Sequence, residues 1–324
     1  LMEGGSGSAT LDMAGGFVYG GYTVAGQTLE IGSGVTVQGY GLISDSASAD
    51  IINNGIITGN TGGQTLTISP QNLTSNGAIN GIAGTVTIAP TATFSNTGTV
   101  THSSGIMNIN ASNWSSTGTI NHSAGTLNFG GNFSVAGLGS YIRTGGVTNI
   151  TGNFTNTGNT LDIGNAGLFG DGVSLGLDNL SGSIIGGTIV SGDGTVLNSN
   201  GGTLNGVTLG SDLTLVESGI LRIANDLILA DTVTFSIGNE QVGFITTGNV
   251  GILMEGGSGS ATLDMAGGFI YGGYTVAGQT LEIGSGVTVQ GYGLISDSAS
   301  ADITNNGTIT RNTGGQTLTI SPQN

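Results

Sequence analysis

The chain has 324 residues, of which 65 are glycine, 36% are hydrophobic and only 7% are charged. Nineteen carboxylates stand against three arginines (Arg143, Arg222, Arg311) and no lysine, giving a formal net charge of −16. That balance argues against nucleic acid and anionic membranes as partners, because rows of phosphate need rows of cations, and the lack of cysteine removes thiol and disulfide chemistry.

Gly-, Ser-, Thr- and Asn-rich chains are often disordered, yet here Val, Ile and Leu recur at spacing two, the mark of a thin core spread along the chain. No apolar run approaches the roughly 18 residues of a membrane span, so no membrane insertion is expected, and no signal peptide is visible. Because the chain begins at Leu1 inside a repeat, it reads as a fragment whose targeting signals lie elsewhere.

In chain order, residues 1–72 open a long unit that returns as 253–324, at an offset of 252. Four positions differ between the copies: Val18 becomes Ile270, Ile52 becomes Thr304, Ile56 becomes Thr308 and Gly59 becomes Arg311. Segments 1–72, 73–252 and 253–324 are therefore expected to be the start of one unit, its remainder and the start of the next, within one continuous structure. Ile56→Thr308 falls at an outward position, and Gly59→Arg311 predicts a corner that faces water.

From Leu73 onward a shorter period sets the fold. Leu73, Phe94, Trp114, Phe133 and Phe154 recur at spacings of 21, 20, 19 and 21 and predict a buried core ladder. Gly63, Gly84, Gly105, Gly125 and Gly146 mark a second register, each followed by a short strand such as Thr85-Val86-Thr87-Ile88 or Thr126-Leu127-Asn128-Phe129. Leu66/Ile68, Val86/Ile88, Met107/Ile109 and Leu127/Phe129 alternate inward, with Ile106 and Val147 as outward apolar exceptions and Thr148 as an inward polar one. A third register runs through Asn76-Gly77-Ala78-Ile79, Thr97-Gly98-Thr99-Val100 and Thr117-Gly118-Thr119-Ile120. Farther on, Val207/Leu209, Leu213/Leu215, Leu221/Ile223, Leu227/Leu229 and Val233/Phe235 continue the strands. About three strands per roughly 20-residue coil describe an all-β, three-faced parallel β-solenoid, or β-helix. The three prolines, Pro70, Pro90 and Pro322, fall just after strands, where a missing N–H is tolerable.

Some β-solenoids are carbohydrate-active enzymes, but such sites need convergent carboxylates with a base or metal. Here no carboxylate lies between Leu73 and Leu161, and pairs such as Asp45/Asp50 and Asp226/Asp231 sit five positions apart, so no catalytic residue is expected. His102 and His122, one coil apart, are expected to stack on one corner with Arg143 in the next coil. A metal-chelating or pH-titrating pair is weighed there against a solvated corner that accepts any polar residue, as Gly81 does one coil earlier; the second reading is preferred. Asn72, Asn113, Asn132 and Asn153 begin N-x-[ST] patterns, but an asparagine in register at a corner has a simpler use, bonding its copy in the next coil. Calcium ranks below scattered solubilising charge, since Asp193 stands isolated and no calcium loop is present, and no other cofactor is expected. Outward Thr65/Thr67 and Thr85/Thr87 resemble an ice-binding row, which decays to Asn108, Asn128 and Asn149.

Coils of the form Asn/Thr-Gly-Thr-Val/Ile followed by Gly-Thr-Val/Leu-Thr/Asn-Ile/Phe resemble filamentous-haemagglutinin-type adhesins and autotransporter passengers over the whole chain. The resemblance implies a secreted or surface-anchored bacterial β-helix that projects from the cell and serves adhesion or cell–cell contact. Three functions follow as expectations: a stalk whose job is length, a solenoid face that binds glycan or protein on a host or neighbouring cell, and a carbohydrate-active enzyme. The first ranks highest, because duplication extends reach but adds nothing to a single active site. Neither end carries a polar cap: Leu1-Met2-Glu3 equals Leu253-Met254-Glu255, and Ser321-Pro322-Gln323-Asn324 equals Ser69-Pro70-Gln71-Asn72. The expected partner is therefore a further copy of the array, as covalent continuation or end-to-end stacking.

Overall fold

The computed structural model describes residues 2–3, 7–45, 48–296 and 301–322, so Leu1, Gln323 and Asn324 of the two end segments lie outside the described residues. The chain is a parallel β-solenoid of about 14 turns, roughly 22 residues each, with 59% of its residues in strands. The only helical segment among the described residues is the short 3-10 turn Glu255–Gly257. By compactness the chain divides into units Leu1–Phe154 and Thr155–Asn324.

In the first unit three strands make each coil. Thr93–Asn96, Thr99–His102 and Ile106–Ile109 are followed by Asn113–Ser116, Thr119–His122 and Thr126–Phe129, each pairing parallel with its counterpart one coil on. Side chains alternate in and out along each strand, so every face contributes two inward columns. One face stacks Leu29, Ile51, Leu73, Phe94 and Trp114 in register. The second stacks Ile57, Ile79, Val100, Ile120 and Tyr141. The third stacks Ile68, Ile88, Ile109, Phe129 and Ile150. A coil alone buries little, and stacking joins these columns into one core.

Glycine is dictated at the corners for two reasons. Gly105 has φ +75°, a conformation that side chains rarely adopt, and a Cβ there would lie 2.0 Å from the Gly84 carbonyl oxygen. Gly98 has an ordinary φ, but its Cβ would lie 2.0 Å from the Gly77 oxygen, since the corners nest coil upon coil. Ile106 and Val147 face outward, while Thr148 is buried with its hydroxyl 2.7 Å from the Tyr141 hydroxyl.

The second unit carries the same kind of inward columns: Leu161, Ile189, Leu209, Leu229 and Met254 in one, and Leu213, Phe235, Leu263, Val289 and Ile309 in another. Some coils here are longer than the sequence period leads one to expect. Thr160 pairs with Thr188 and Thr234 with Thr262, wider steps than that from Thr85 to Ile106, because loops at the corners absorb the extra chain.

The two copies of the repeated segment give a comparison of sequence against cover. Ala9–Tyr19 pairs with Val35–Ser44 as Ala261–Tyr271 pairs with Val287–Ser296, with the register break in the same place, between Ala14/Gly16 and Ala266/Gly268. Leu11 is 36% exposed, whereas Leu263 is fully buried, since among the described residues Ala261–Tyr271 is paired on both edges and Ala9–Tyr19 on one. Identical residues thus acquire different burial from the coil beside them.

That comparison corrects one expectation. Gly59 does not face water: it is buried, and a Cβ there would lie 2.3 Å from Val86 Cγ2. Arg311 is exposed and donates to the Gln316 carbonyl at 2.9 Å; among the described residues the strand before it, Thr308–Thr310, pairs on one edge, with Val287–Ser296. Ile56 and Thr308 both face outward.

Candidate functional site

The strand Thr99–His102 alternates out, in, out, in, so His102 follows Val100 into the core. The column so formed runs Gly39, Gly59, Gly81, His102, His122 and Arg143, each opposite the next in register. Its corner is not solvated, contrary to the reading preferred from sequence: His102 is 0% exposed and His122 1%. Glycines leave room in the early coils, and imidazoles fill it in the later ones.

The two rings stack, with centroids 5.1 Å apart and planes within 8°. His122 Nε2 donates to the Val147 carbonyl at 3.2 Å, which leaves Nδ1 without a hydrogen bond, and neither nitrogen of His102 meets a partner with hydrogen-bond geometry. Burial pushes the His122 imidazole down to about 4, with the positive charges of His102 and Arg143 adding to the effect. Burial lowers His102 too, and the backbone of Gly81, Gly105 and Thr126 offsets only part of this. Arg143 is buried and donates to the carbonyls of Gly145 and Gly146. Lone pairs in the planes of parallel rings run side by side instead of converging on one ion. The column is arranged for neutral, stacked imidazoles. Among the described residues no group of three or more His, Asp or Glu is placed to hold a metal ion.

The core ladder residues Leu73, Phe94, Trp114, Phe133 and Phe154 are all buried. Trp114 stacks on Phe133 at 4.7 Å, Phe133 meets Phe154 at 5.0 Å, and the indole N–H donates to the Gly130 carbonyl at 2.8 Å. The corner asparagines bond coil to coil: Asn153 Nδ2 donates to Asn132 Oδ1 at 2.8 Å, and Asn132 to Asn113 at 3.4 Å. A second amide ladder joins Asn149 to Asn128 and Asn128 to Asn108, at 2.8 Å each, and ends on Thr87 Oγ1 at 3.3 Å.

Two features were missed in the sequence. Asp171 shapes a loop in the second unit, as does Asp193, which the sequence offers only as an isolated solubilising charge; three backbone N–H groups (Val173, Ser174, Leu175) bond Asp171 Oδ1 and hold its carboxyl at about 2. Asp193, bonded by the Asn165 N–H and by Thr195, is likewise held at about 2. Both carboxylates are occupied in fixing backbone. The other missed feature is an outward row of aromatic rings: Phe17, Tyr19 and Tyr22 in one copy, Phe269, Tyr271 and Tyr274 in the other. Its signal was in the sequence, because Phe17 and Tyr19 flank the inward Val18 at spacing two.

Register and inward alternation define a parallel β-solenoid. Compared with known proteins, the chain matches no family model, no curated sequence and no solved structure at a significant level.

Proposed function

We propose that the chain is a segment of an extracellular, adhesive surface fibre, in which tandem 252-residue units give a long stalk for cell adhesion or cell–cell contact. The observation that supports this most is the return of segment 1–72 as 253–324 with four changes and the same strand register. Copying a stack of coils adds length, and length serves a stalk. The low charge, the amide ladders and the resemblance to filamentous-haemagglutinin-type adhesins and autotransporter passengers point the same way. Its partners are further units of the same array and the surface of a host or neighbouring cell; no cofactor and no catalytic step enter the proposal.

The test is to image the full-length protein at the cell that makes it. With about 22 residues per coil and about 4.8 Å per coil, each 252-residue unit should add about 55 Å of fibre. Surface fibres that shorten by that step for each unit deleted, with cell attachment falling in parallel, are expected. A compact intracellular particle, or attachment indifferent to deletion, would overturn the reading.

A further inference from the structure

We infer that the Phe-x-Tyr row and its following tyrosine form a binding platform for neutral carbohydrate chains, presented once in each copy of the repeated segment. This rests on the adhesive reading above and names the surface that adheres and the class of ligand it takes.

The segment Gly15-Gly16-Phe17-Val18-Tyr19-Gly20-Gly21-Tyr22 recurs as Gly267-Gly268-Phe269-Ile270-Tyr271-Gly272-Gly273-Tyr274. In the first copy Phe17 and Tyr19 lie parallel within 2°, centroids 5.9 Å apart, and Tyr22 follows at 5.6 Å. The second copy repeats this, with 6.0 Å and 9° for the first pair and 5.9 Å for the next. Phe17 and Tyr22 are 65% and 71% exposed; Phe269, Tyr271 and Tyr274, with a coil on either side, remain half-buried with solvent access. Two copies under different cover therefore hold three rings in one arrangement. The row belongs to the segment itself and not to a chance packing.

An exposed aromatic row has a hydration cost, and surrounding residues could have hidden it. Instead they leave it open. Leu42 and Ser44 stand opposite Phe17 and Tyr19, while Gln241, Gly243, Leu294 and Ser296 flank Phe269 and Tyr271. Gly243 seats the last ring, since a Cβ there would lie 2.7 Å from Tyr274 Cβ. None of these neighbours is charged.

The ligand follows from that chemistry. A pyranose ring offers a flat C–H face to an aromatic ring and hydroxyls at its rim, and two of the three rings in each copy are tyrosines, which carry a phenol hydroxyl beside an apolar face. Anionic glycans and nucleic acids could use the same faces, but a chain of net charge −16 without lysine repels them. A dry protein partner needs on the order of 1,000 Å² of complementary surface, more than a row of three side chains supplies. Single platforms of this size bind weakly, and repetition along one chain converts weak sites into firm attachment.

The experiment measures retention of the 324-residue chain on immobilised dextran, mannan and laminarin, with polygalacturonate and polylysine as charged comparisons. The neutral set should retain the chain in high salt. Phe17→Ala/Tyr22→Ala alone should weaken apparent affinity about tenfold by removing one of two sites. Adding Phe269→Ala/Tyr274→Ala should abolish retention, whereas Val173→Ala, an exposed apolar change elsewhere, should leave it intact. Circular dichroism checks that each variant is folded, and a tyrosine-to-phenylalanine set, which keeps the ring faces, should restore most binding. No retention on any neutral polymer, retention unchanged in the fourfold variant, or binding confined to polygalacturonate or polylysine would overturn the inference. Fibres imaged with the expected step would survive that failure, so the two readings fail separately.

Discussion

The imidazole of His102 lies face to face with that of His122, 5.1 Å away, in a column where both are buried and the next residue is the arginine Arg143. No carboxylate occurs between Leu73 and Leu161, so none stands in the coils that carry the two imidazoles. Protonation must work against burial and against Arg143.

The pH dependence follows with a definite sign. His122 is held at about 4 in the folded chain and lies near 6.5 when unfolded, so the unfolded state binds the proton more readily. Stability should be flat above about pH 7 and fall between about 6.5 and 4, with His122 accounting for on the order of 3 kcal/mol. Urea midpoints across that range should show the slope, and His122→Asn should flatten much of it. Asp171 and Asp193, held at about 2, add their loss only below about pH 4, so the windows separate. An unchanged slope in His122→Asn would assign the effect elsewhere.

Trp114 joins a ring stack to a hydrogen bond with Gly130. Replacing it with alanine should destabilise the first unit by about 3–5 kcal/mol. Phenylalanine, which already fills this column at positions 94, 133 and 154, should cost only about 1–2 kcal/mol through the lost hydrogen bond and volume. Denaturation followed by circular dichroism distinguishes the two, since the single tryptophan is then absent as a probe.

Close approach, and not turn geometry, requires glycine at position 98. Gly98→Ala should destabilise by about 3 kcal/mol or more, because the methyl group would meet the Gly77 carbonyl. Gly62→Ala, with nothing within 4 Å of its Cβ, should stay within about 0.5 kcal/mol of the parent. Equal losses at both positions would refute the nested-corner account.

Differences between the copies predict unequal tolerance. Ile56→Thr, outward, should be neutral within about 0.5 kcal/mol, whereas Ile57→Thr, inward, should cost about 2–4 kcal/mol. Gly59→Arg should be strongly destabilising although arginine stands at 311, because Gly59 is covered by Val86 and Arg311 is not covered. Thermal melts of the three variants give the ranking directly.

The solenoid was legible because its rules are local. Alternation at spacing two gave Val86/Ile88 and Leu127/Phe129 their faces, and the regular glycines gave the corners. What was misread followed from stopping a strand too early: carried two residues past Val100, the same alternation places His102 inside. Position 59 was misread for another reason, since burial depends on the neighbouring coil as well as on the residue. Loops around Asp171 were illegible because periodicity lapses there, and the aromatic row was legible but overlooked among strands judged by their inward residues.

The placement of the three arginines has a consequence for resistance to digestion. Proteases of the trypsin type cut only after lysine or arginine, and must draw the chain, extended and unpaired, into their cleft. Arg143 is buried, Arg222 sits within the strand Leu221–Leu229 with its guanidinium on the Gly201 carbonyl, and Arg311 alone is exposed. A digest of the folded chain should therefore clip at Arg311 and leave 1–311 whole. In further units that carry the glycine of position 59 in place of Arg311, even that site would vanish, and the array would offer such enzymes no accessible bond.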